Sequence, residues 1–176
     1  KGLDLALEAF AGTPGLELAV AAPLDREPDF VAAFERELYR SPNVRALGWL
    51  DVGSERFRAV AAATLGMVFP SCSEGGGGSA VTAMHAGLIP IVTRETSVDV
   101  EPDFGVLLAD ARVETIRAAA LDLAARPAAD LEAMAVAAWT RANEVHTRAT
   151  FEANYRRALL EILERFRPDL AERAPR

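Results

Sequence analysis

The sequence predicts an α/β fold, a Rossmann-like doubly wound parallel sheet flanked by helices and followed by a run of C-terminal helices. Over the first 108 residues, short runs that are apolar throughout alternate with segments of helical spacing. Such runs are typical of parallel strands that crossover helices cover on both faces. From residue 113 onward the spacing is helical only. Right-handed crossovers then favour an open, doubly wound sheet.

The individual elements follow from the same two patterns, taken in chain order. Leu3, Leu7 and Phe10 indicate the first helix, which ends at a GTPG turn. Each strand is indicated by a short apolar run, and each later helix by apolar residues three or four positions apart. The strands are predicted within residues 16–22, 44–50, 65–69, 89–93 and 105–108. The later helices are predicted around residues 30–38, 57–64, 80–86, 113–123, 131–138 and 151–166, and residues 167–176 are expected to fray.

Composition indicates one packed domain and excludes several classes of protein. The chain has 176 residues, of which 51% are hydrophobic and 26% charged, too apolar for a disordered chain. Nineteen basic and 26 acidic residues give a net charge of −7, which argues against nucleic-acid binding. The single cysteine, Cys72, cannot form an internal disulfide. With no leader and no apolar run of membrane-spanning length, we expect a cytoplasmic protein without a transmembrane segment.

One segment stands apart from the rest of the pattern. A strand ends at Pro70, four glycines follow from Gly75 to Gly78, and a helix begins near Ser79. Glycines let a ligand approach the backbone closely, and a helix N-terminus offers free amides and a positive dipole end. A glycine loop followed by a helix therefore favours the binding of a phosphate group. The carboxyl end of a parallel strand is also where open α/β sheets bind ligands. A flexible linker or a tight turn is the alternative, and the spacing fits neither a P-loop nor a dinucleotide fingerprint.

Glu74 directly precedes these glycines. Its carboxylate would repel a phosphate, so we expect it to point away from the phosphate site and toward neighbouring sugar hydroxyls. Carboxylate oxygens are good acceptors of hydrogen bonds from such hydroxyls. The alternative is that the carboxylate caps the amides of the loop.

The motifs around this loop resemble a known signature. The segments PS at residues 70–71, EG at 74–75, TAMHAG and IPIV, in that order, are similar to the donor-site signature of family 4 (group 1) retaining glycosyltransferases of the GT-B fold. The opening KGLDLALEAF resembles that family's Lys-Gly segment, and NVRALGWL at 43–50 resembles the strand and loop that border the nucleobase. The resemblance implies that residues 1–166 are the nucleotide-sugar-binding, C-terminal domain of such an enzyme. It also implies an N-terminal acceptor domain outside this chain, and a strand and an arginine before Lys1.

The resemblance further implies roles for individual residues. Lys1 would balance the charge of the donor diphosphate, and Glu74 would hold hydroxyls of the transferred sugar, which makes these two the expected catalytic residues. The backbone amides from Gly76 to Ser79 would hold the phosphates. No metal ion and no other cofactor is expected. The expected donor-binding residues are Gly75, Gly76, Gly77, Gly78, Ser79, Thr82 and Leu50.

Two positions depart from the family's pattern. Thr82 stands where the family has a second glutamate for the ribose hydroxyls, and Gly76 stands where it usually has phenylalanine. A threonine cannot hold two hydroxyls bidentately. Losing a charge-assisted bond would weaken nucleotide binding by roughly 1.5–3 kcal/mol.

The implied function is the donor-binding half of a retaining hexosyltransferase of carbohydrate biosynthesis. The amides and Lys1 would stabilise the departing diphosphate while Glu74 orients the sugar. Because the acceptor site would lie in the N-terminal domain, this chain alone is expected to be inactive. Two alternatives stay open. One is a GT-B sugar-nucleotide epimerase, which would need a general base in the cleft, and the other is a non-catalytic nucleotide- or sugar-binding module.

Several other residues admit two interpretations. His85 is expected to pack or cap within the sheet layer rather than to contact a ligand, and Cys72 to be a small buried side chain rather than a nucleophile. Trp49 is expected to pack under its loop, with the base pocket as the alternative. Asp99 and Asp103 fit ligand contact and simple solvation equally well.

Overall fold

The structure is a computed structural model that describes residues 1–171. The strands are β1 (Leu18–Val20), β2 (Val44–Ala46), β3 (Gly66–Phe69), β4 (Ile89–Thr93) and β5 (Val106–Leu108). The helices are α1 (Leu3–Phe10), α2 (Pro28–Ala33), α3 (Glu35–Tyr39), α4 (Glu55–Ala62), α5 (Gly78–His85), α6 (Val113–Ala124), α7 (Ala128–Val145), α8 (Arg148–Phe166) and α9 (Pro168–Ala171). Short 3₁₀ turns lie at Leu24–Arg26 and Arg94–Thr96.

The strands pair in parallel throughout, as the sequence predicts. β1 pairs with β2, and β3, β4 and β5 form a second sheet with β4 in the centre. Gly66 lies opposite Ile89, and Ile91 lies opposite Val106. Across residues 1–171 no backbone pairing joins β1 to β3, so the sheet is divided into two parts. The predicted class, a Rossmann-like α/β fold with helices flanking parallel strands, is confirmed.

The hydrophobic core lies on both faces of β4. Every residue of this strand is buried. Ile89 and Ile91 face a cluster that includes residues of α1, α6 and α7. Val92 faces a second cluster that includes Met84 of α5 and Ala138 of α7. Helices therefore cover both faces, which is why the strand is apolar except at Thr93 rather than alternating.

Two helical regions differ from the prediction. The single helix expected around residues 30–38 is divided into α2 and α3 at Phe34, whose backbone is not helical (φ −112°, ψ 23°). The ring of Phe34 stacks on that of Phe30 with 4.7 Å between centroids, so the apolar spacing continues across the break. In the tail that was expected to fray, the structure has the short helix α9, and residues 172–176 lie outside the described residues.

α8 has a regular apolar stripe that the domain does not cover. No residue of this helix is buried. The exposed fractions along the stripe run from 42% at Leu159 to 66% at Phe166. The rings of Phe151 and Tyr155, at the start of the stripe, stack on each other 5.6 Å apart. The other members of the stripe are Leu159, Ile162 and Phe166.

Candidate functional site

Two loops meet at the carboxyl edge of the three-stranded sheet. One is the glycine loop, residues 70–77, which follows β3, and the other is the turn that follows β4. The Glu74 amide donates to the carbonyl oxygen of Glu95 at 3.0 Å, and the Gly77 amide donates to that of Thr96 at 2.9 Å. The Ser97 hydroxyl donates to the carbonyl oxygen of Glu74 at 3.0 Å. The turn that follows β4, called the second turn below, thus fixes the backbone of the glycine loop.

The structure brings the two expected catalytic residues into direct contact. Lys1 Nζ lies 2.8 Å from Glu74 Oε1, and the Ser71 hydroxyl donates to the same oxygen at 3.1 Å. The ammonium also lies 5.6 Å from the centroid of the Phe69 ring. The lysine side chain is 71% exposed and the glutamate side chain 14%. Among the described residues, no amide of the loop donates to the carboxylate, so the alternative that it caps these amides is wrong.

The hydrogen bond from Lys1 holds the pKa of Glu74 below its ordinary value. The hydrogen bond from Ser71 and the charge of Lys1 act in the same direction, and partial burial acts against them. The carboxylate is therefore ionised at neutral pH, when both of its oxygens can accept hydrogen bonds and neither can donate one.

The glycine run combines an unusual backbone with unused amides. Gly76 has φ +155°, in the region that side chains rarely adopt, so glycine is favoured there. α5 begins at Gly78. Within the described part of the chain, the amides of Gly76, Gly78 and Ser79 have no hydrogen-bond acceptor. The amide of Gly77 is already bonded to the second turn, so three of the four amides expected to hold phosphates are available for an anion.

Thr82 does not replace the carboxylate that the resemblance leads one to expect. Its hydroxyl donates to the carbonyl oxygen of Gly78, 2.8 Å away and one turn back in α5. The hydroxyl proton is therefore engaged within the helix, and only oxygen lone pairs remain for a ligand. A role for Thr82 at the ribose stays a prediction.

The loop after β2 presents one side chain outward and one inward. Leu50 is 8% exposed and lies in the core, so only its backbone can border a nucleobase. Trp49 is 70% exposed. The expectation that Trp49 packs under its loop is wrong, because the neighbouring Leu50 takes the buried position.

Other expectations about single residues also change. Cys72 is exposed rather than buried, since it lies in the glycine loop outside the sheet. His85 is exposed at the end of α5 rather than packed in the sheet layer, and its Nε2 lies 3.2 Å from the carbonyl oxygen of His146, the residue that follows α7. Asp99 and Asp103 are both exposed, and a ligand contact there stays a prediction.

Sequence reasoning missed the hydroxyl residues around Glu74. Ser71 contacts its carboxylate and Ser97 its carbonyl oxygen, while Thr93 and Thr96 lie beneath the loop. The signal that could have found them is position. Thr93 ends β4, and the other three lie a few residues beyond the ends of β3 and β4, at the edge where the glycine loop begins. Buried hydroxyls there need partners in the loops.

The region contains no feature of a metal centre. No group of three or more His, Cys, Asp or Glu residues within 1–171 could hold a metal ion. None of the helices that the structure describes is long and apolar enough to cross a membrane.

Two surface concavities lie away from this region. One, of about 390 Å³, lies beside Asn43, and the other, of about 490 Å³, lies beside α6; both are lined by residues outside the two loops.

Comparison with known proteins gives matches to solved structures. No family model matches the sequence, and no curated protein matches it either. Sucrose-phosphate synthase from Thermosynechococcus elongatus matches with a TM-score of 0.73 and 18% identity, over 93% of this chain and 43% of that chain. WaaG, a glycosyltransferase involved in lipopolysaccharide biosynthesis, matches with a TM-score of 0.59 and 22% identity, over 81% of this chain and 39% of that chain.

These two matches identify the fold. The chain has the Rossmann-like fold of one half of a GT-B glycosyltransferase, as the resemblance predicts. It spans 43% and 39% of the length of the two structures.

Proposed function

We propose that this domain binds a nucleoside-diphosphate sugar and supplies the donor side of a retaining glycosyl transfer. Its likeness to two glycosyltransferases supports a role in glycosyl transfer. The observation that carries the proposal is the pair of Lys1 and Glu74, 2.8 Å apart, beside the free amides of the glycine loop. A cation and amide donors beside an acceptor carboxylate match two parts of such a donor, the diphosphate and the sugar hydroxyls.

Lys1 and the amides would stabilise the leaving group. An ammonium has three N–H donors, of which one is bonded to Glu74, and the side chain is 71% exposed. When the bond between the sugar's anomeric carbon and the phosphate oxygen breaks, negative charge develops on the diphosphate. Lys1 and the amides of Gly76, Gly78 and Ser79 lie where they can stabilise that charge. They provide the positive charge that a divalent cation provides in other nucleotide sites, so the proposal requires no metal.

Glu74 would orient the sugar. Its Oε1 already accepts hydrogen bonds from Lys1 and Ser71, and Oε2 can accept one from a sugar hydroxyl. The acceptor hydroxyl then forms the new bond from the same face of the sugar and gives its proton to an oxygen of the departing diphosphate. A second domain of a larger enzyme would supply that acceptor, so we expect the chain by itself to bind the donor without transferring it.

Titration calorimetry tests the proposal. Uridine, guanosine and adenosine diphosphates and their sugar forms UDP-glucose, GDP-mannose and ADP-glucose are titrated into the wild type and two variants. Glu74→Ala removes the acceptor, and Glu95→Ala is the matched control because it removes the same charge from an exposed side chain nearby. We expect one base to bind. Glu74→Ala should then lower the affinity of its sugar form about 10- to 100-fold, as for a hydrogen bond to a charged group.

The control and the bare nucleotide make the result specific. Glu95→Ala should leave both forms unchanged, and Glu74→Ala should leave the affinity of the bare diphosphate unchanged or higher. Equal losses in the two variants, or no binding of any of the six compounds at millimolar concentration, would contradict the proposal.

One observation favours a second candidate, a non-catalytic nucleotide- or sugar-binding module. Thr82 stands where the resemblance implies a carboxylate partner for the ribose. Its hydroxyl is bonded back into α5, so its proton is not available to a ribose either. A module that holds only the nucleotide would bind nucleotide and sugar nucleotide with equal affinity and would not respond to Glu74→Ala. The same titrations therefore separate the two candidates.

A further inference from the structure

Three buried hydroxyls lie together beneath the glycine loop. Ser71 and Thr93 are each 1% exposed and Thr96 is 0% exposed, and these are the fully buried polar residues of the described chain. A buried hydroxyl without a partner costs free energy, so such a group is retained only when its hydrogen bonds are made. Here every one is bonded, and the bonds connect the ends of β3 and β4.

The hydrogen bonds run from β4 toward Glu74. The Thr93 hydroxyl donates to the carbonyl oxygen of Ser71, and the Thr96 hydroxyl donates to that of Phe69 at 3.2 Å. The two threonine hydroxyl oxygens lie 3.2 Å apart. Thr93 thus fixes the backbone of Ser71, whose hydroxyl in turn donates to Glu74 Oε1 at 3.1 Å.

These hydrogen bonds make the two oxygens of the Glu74 carboxylate different from each other. Oε1 accepts from both Lys1 and Ser71. No donor within residues 1–171 reaches Oε2, and no buried side-chain oxygen there lacks a partner, so Oε2 is accessible to solvent. Two bonds on one oxygen fix the rotation of the carboxylate, and the other oxygen is presented in one direction.

We propose that Ser71 and Thr93 are positioning residues of the donor site, which hold Glu74 so that Oε2 alone faces a sugar hydroxyl. This inference rests on the proposed function. Neither residue touches the ligand in this arrangement, because both are covered by the loop. Their loss should therefore weaken recognition of the sugar and spare recognition of the nucleotide, whose phosphates meet Lys1 and the loop amides.

The first experiment needs no ligand. The pKa of Glu74 is measured by carbon NMR in the wild type, in Ser71→Ala and in Ser73→Ala. Ser73 is the matched control because it lies in the same loop with an exposed side chain. We expect the pKa to rise in Ser71→Ala, where the ionised form loses a donor, and to stay unchanged in Ser73→Ala. An unchanged pKa in Ser71→Ala would overturn the positioning role, whatever the titrations give.

The second experiment measures sugar recognition. Thr93→Val keeps the shape of the side chain and removes its hydroxyl, while Thr93→Ser keeps the hydroxyl. Both variants and Ser71→Ala are titrated with UDP and UDP-glucose, GDP and GDP-mannose, and ADP and ADP-glucose. We expect Ser71→Ala and Thr93→Val to lower the affinity of the sugar form roughly 2- to 12-fold, the range for one hydrogen bond. The bare diphosphate should keep its affinity, and Thr93→Ser should restore that of the sugar form.

The outcomes separate the two hypotheses. Equal losses for both ligand forms, no loss, or a failure of Thr93→Ser to restore affinity would overturn the positioning role and leave donor binding standing. Absence of binding to wild-type protein would overturn the proposed function, and the role of Ser71 and Thr93 at a donor site with it.

Discussion

Gly77 and Gly78 are adjacent, yet the structure predicts opposite effects for the same substitution. A Cβ at Gly77 would lie 2.6 Å from Thr96 Cγ2, 2.9 Å from the Thr96 carbonyl oxygen and 3.0 Å from Val98 Cγ2. Carbon atoms in ordinary contact are about 3.5–4.0 Å apart. Thr96 would have to move by about 1 Å, and it is fully buried and bonded to β3. We expect Gly77→Ala to destabilise the protein by about 1–3 kcal/mol, the usual cost of overpacking.

Gly78→Ala provides the matched comparison. No atom lies within 4 Å of a Cβ at Gly78, which is the first residue of α5. Alanine is favoured over glycine by about 0.5–1 kcal/mol in a helix interior and by less in the first turn, so this variant should be slightly more stable than the wild type. The two variants should then differ by roughly 1–4 kcal/mol in the free energy of unfolding.

Urea denaturation followed by circular dichroism measures this difference. Each variant gives a midpoint and a slope, and a change in midpoint at constant slope reports stability alone. Midpoints that agree between Gly77→Ala and Gly78→Ala would refute the reasoning, because the two changes are chemically identical and the predicted difference comes from the crowding against Thr96 and Val98 at one position and the helix preference at the other. The reasoning also fails if Gly77→Ala is the more stable of the two.

Three further predictions concern pH and packing. Hydrogen bonding from Arg112 lowers the pKa of Asp110 to about 2, so the stabilisation from this carboxylate is present above pH ~4 and lost as the pH falls toward 2. In Asp110→Asn the urea midpoint should therefore depend less on pH between these values. Burial lowers the pKa of His146 below its ordinary value of 6.5, so stability should fall as the pH drops below that value, and less so in His146→Asn. Met84→Ala should cost about 2–5 kcal/mol because the side chain is 0% exposed, whereas Phe151→Ala, at a residue 64% exposed, should cost under about 0.5 kcal/mol in thermal or urea unfolding.

β4 and α8 show what hydrophobic pattern does and does not determine. The run IPIVT coincides with β4, because a strand covered on both faces is buried at every position and, apart from the hydrogen-bonded Thr93, apolar. The spacing of α8 predicts a helix correctly, and the structure leaves that stripe exposed. Periodicity identifies the apolar face of a helix, but it carries no information about what covers that face.

The candidate site was predicted only in part, for a related reason. Lys1 and Glu74 were identified from separate motifs 73 positions apart, and their direct contact follows from the fold that brings them together. Gly77 was expected to bind phosphate, but its amide bonds to Thr96 across the sheet edge. Pairings of this kind depend on which loops lie side by side at that edge, and residue spacing within one loop does not determine them.

The contact between Lys1 and Glu74 bears on how a carboxylate could lie next to the proposed anion site. A lone carboxylate about 6 Å from a diphosphate of charge −2 would repel it by roughly 1.4 kcal/mol at the dielectric constant of water. Lys1 is 2.8 Å from that carboxylate, so an approaching anion meets a pair with no net charge. The ammonium is 71% exposed and the carboxylate side chain 14%, so the positive end of the pair is the one that faces solvent. In the proposed donor site Lys1 would therefore have two effects, because its exposed ammonium would meet the diphosphate and its charge would cancel the repulsion from the group that would recognise the sugar.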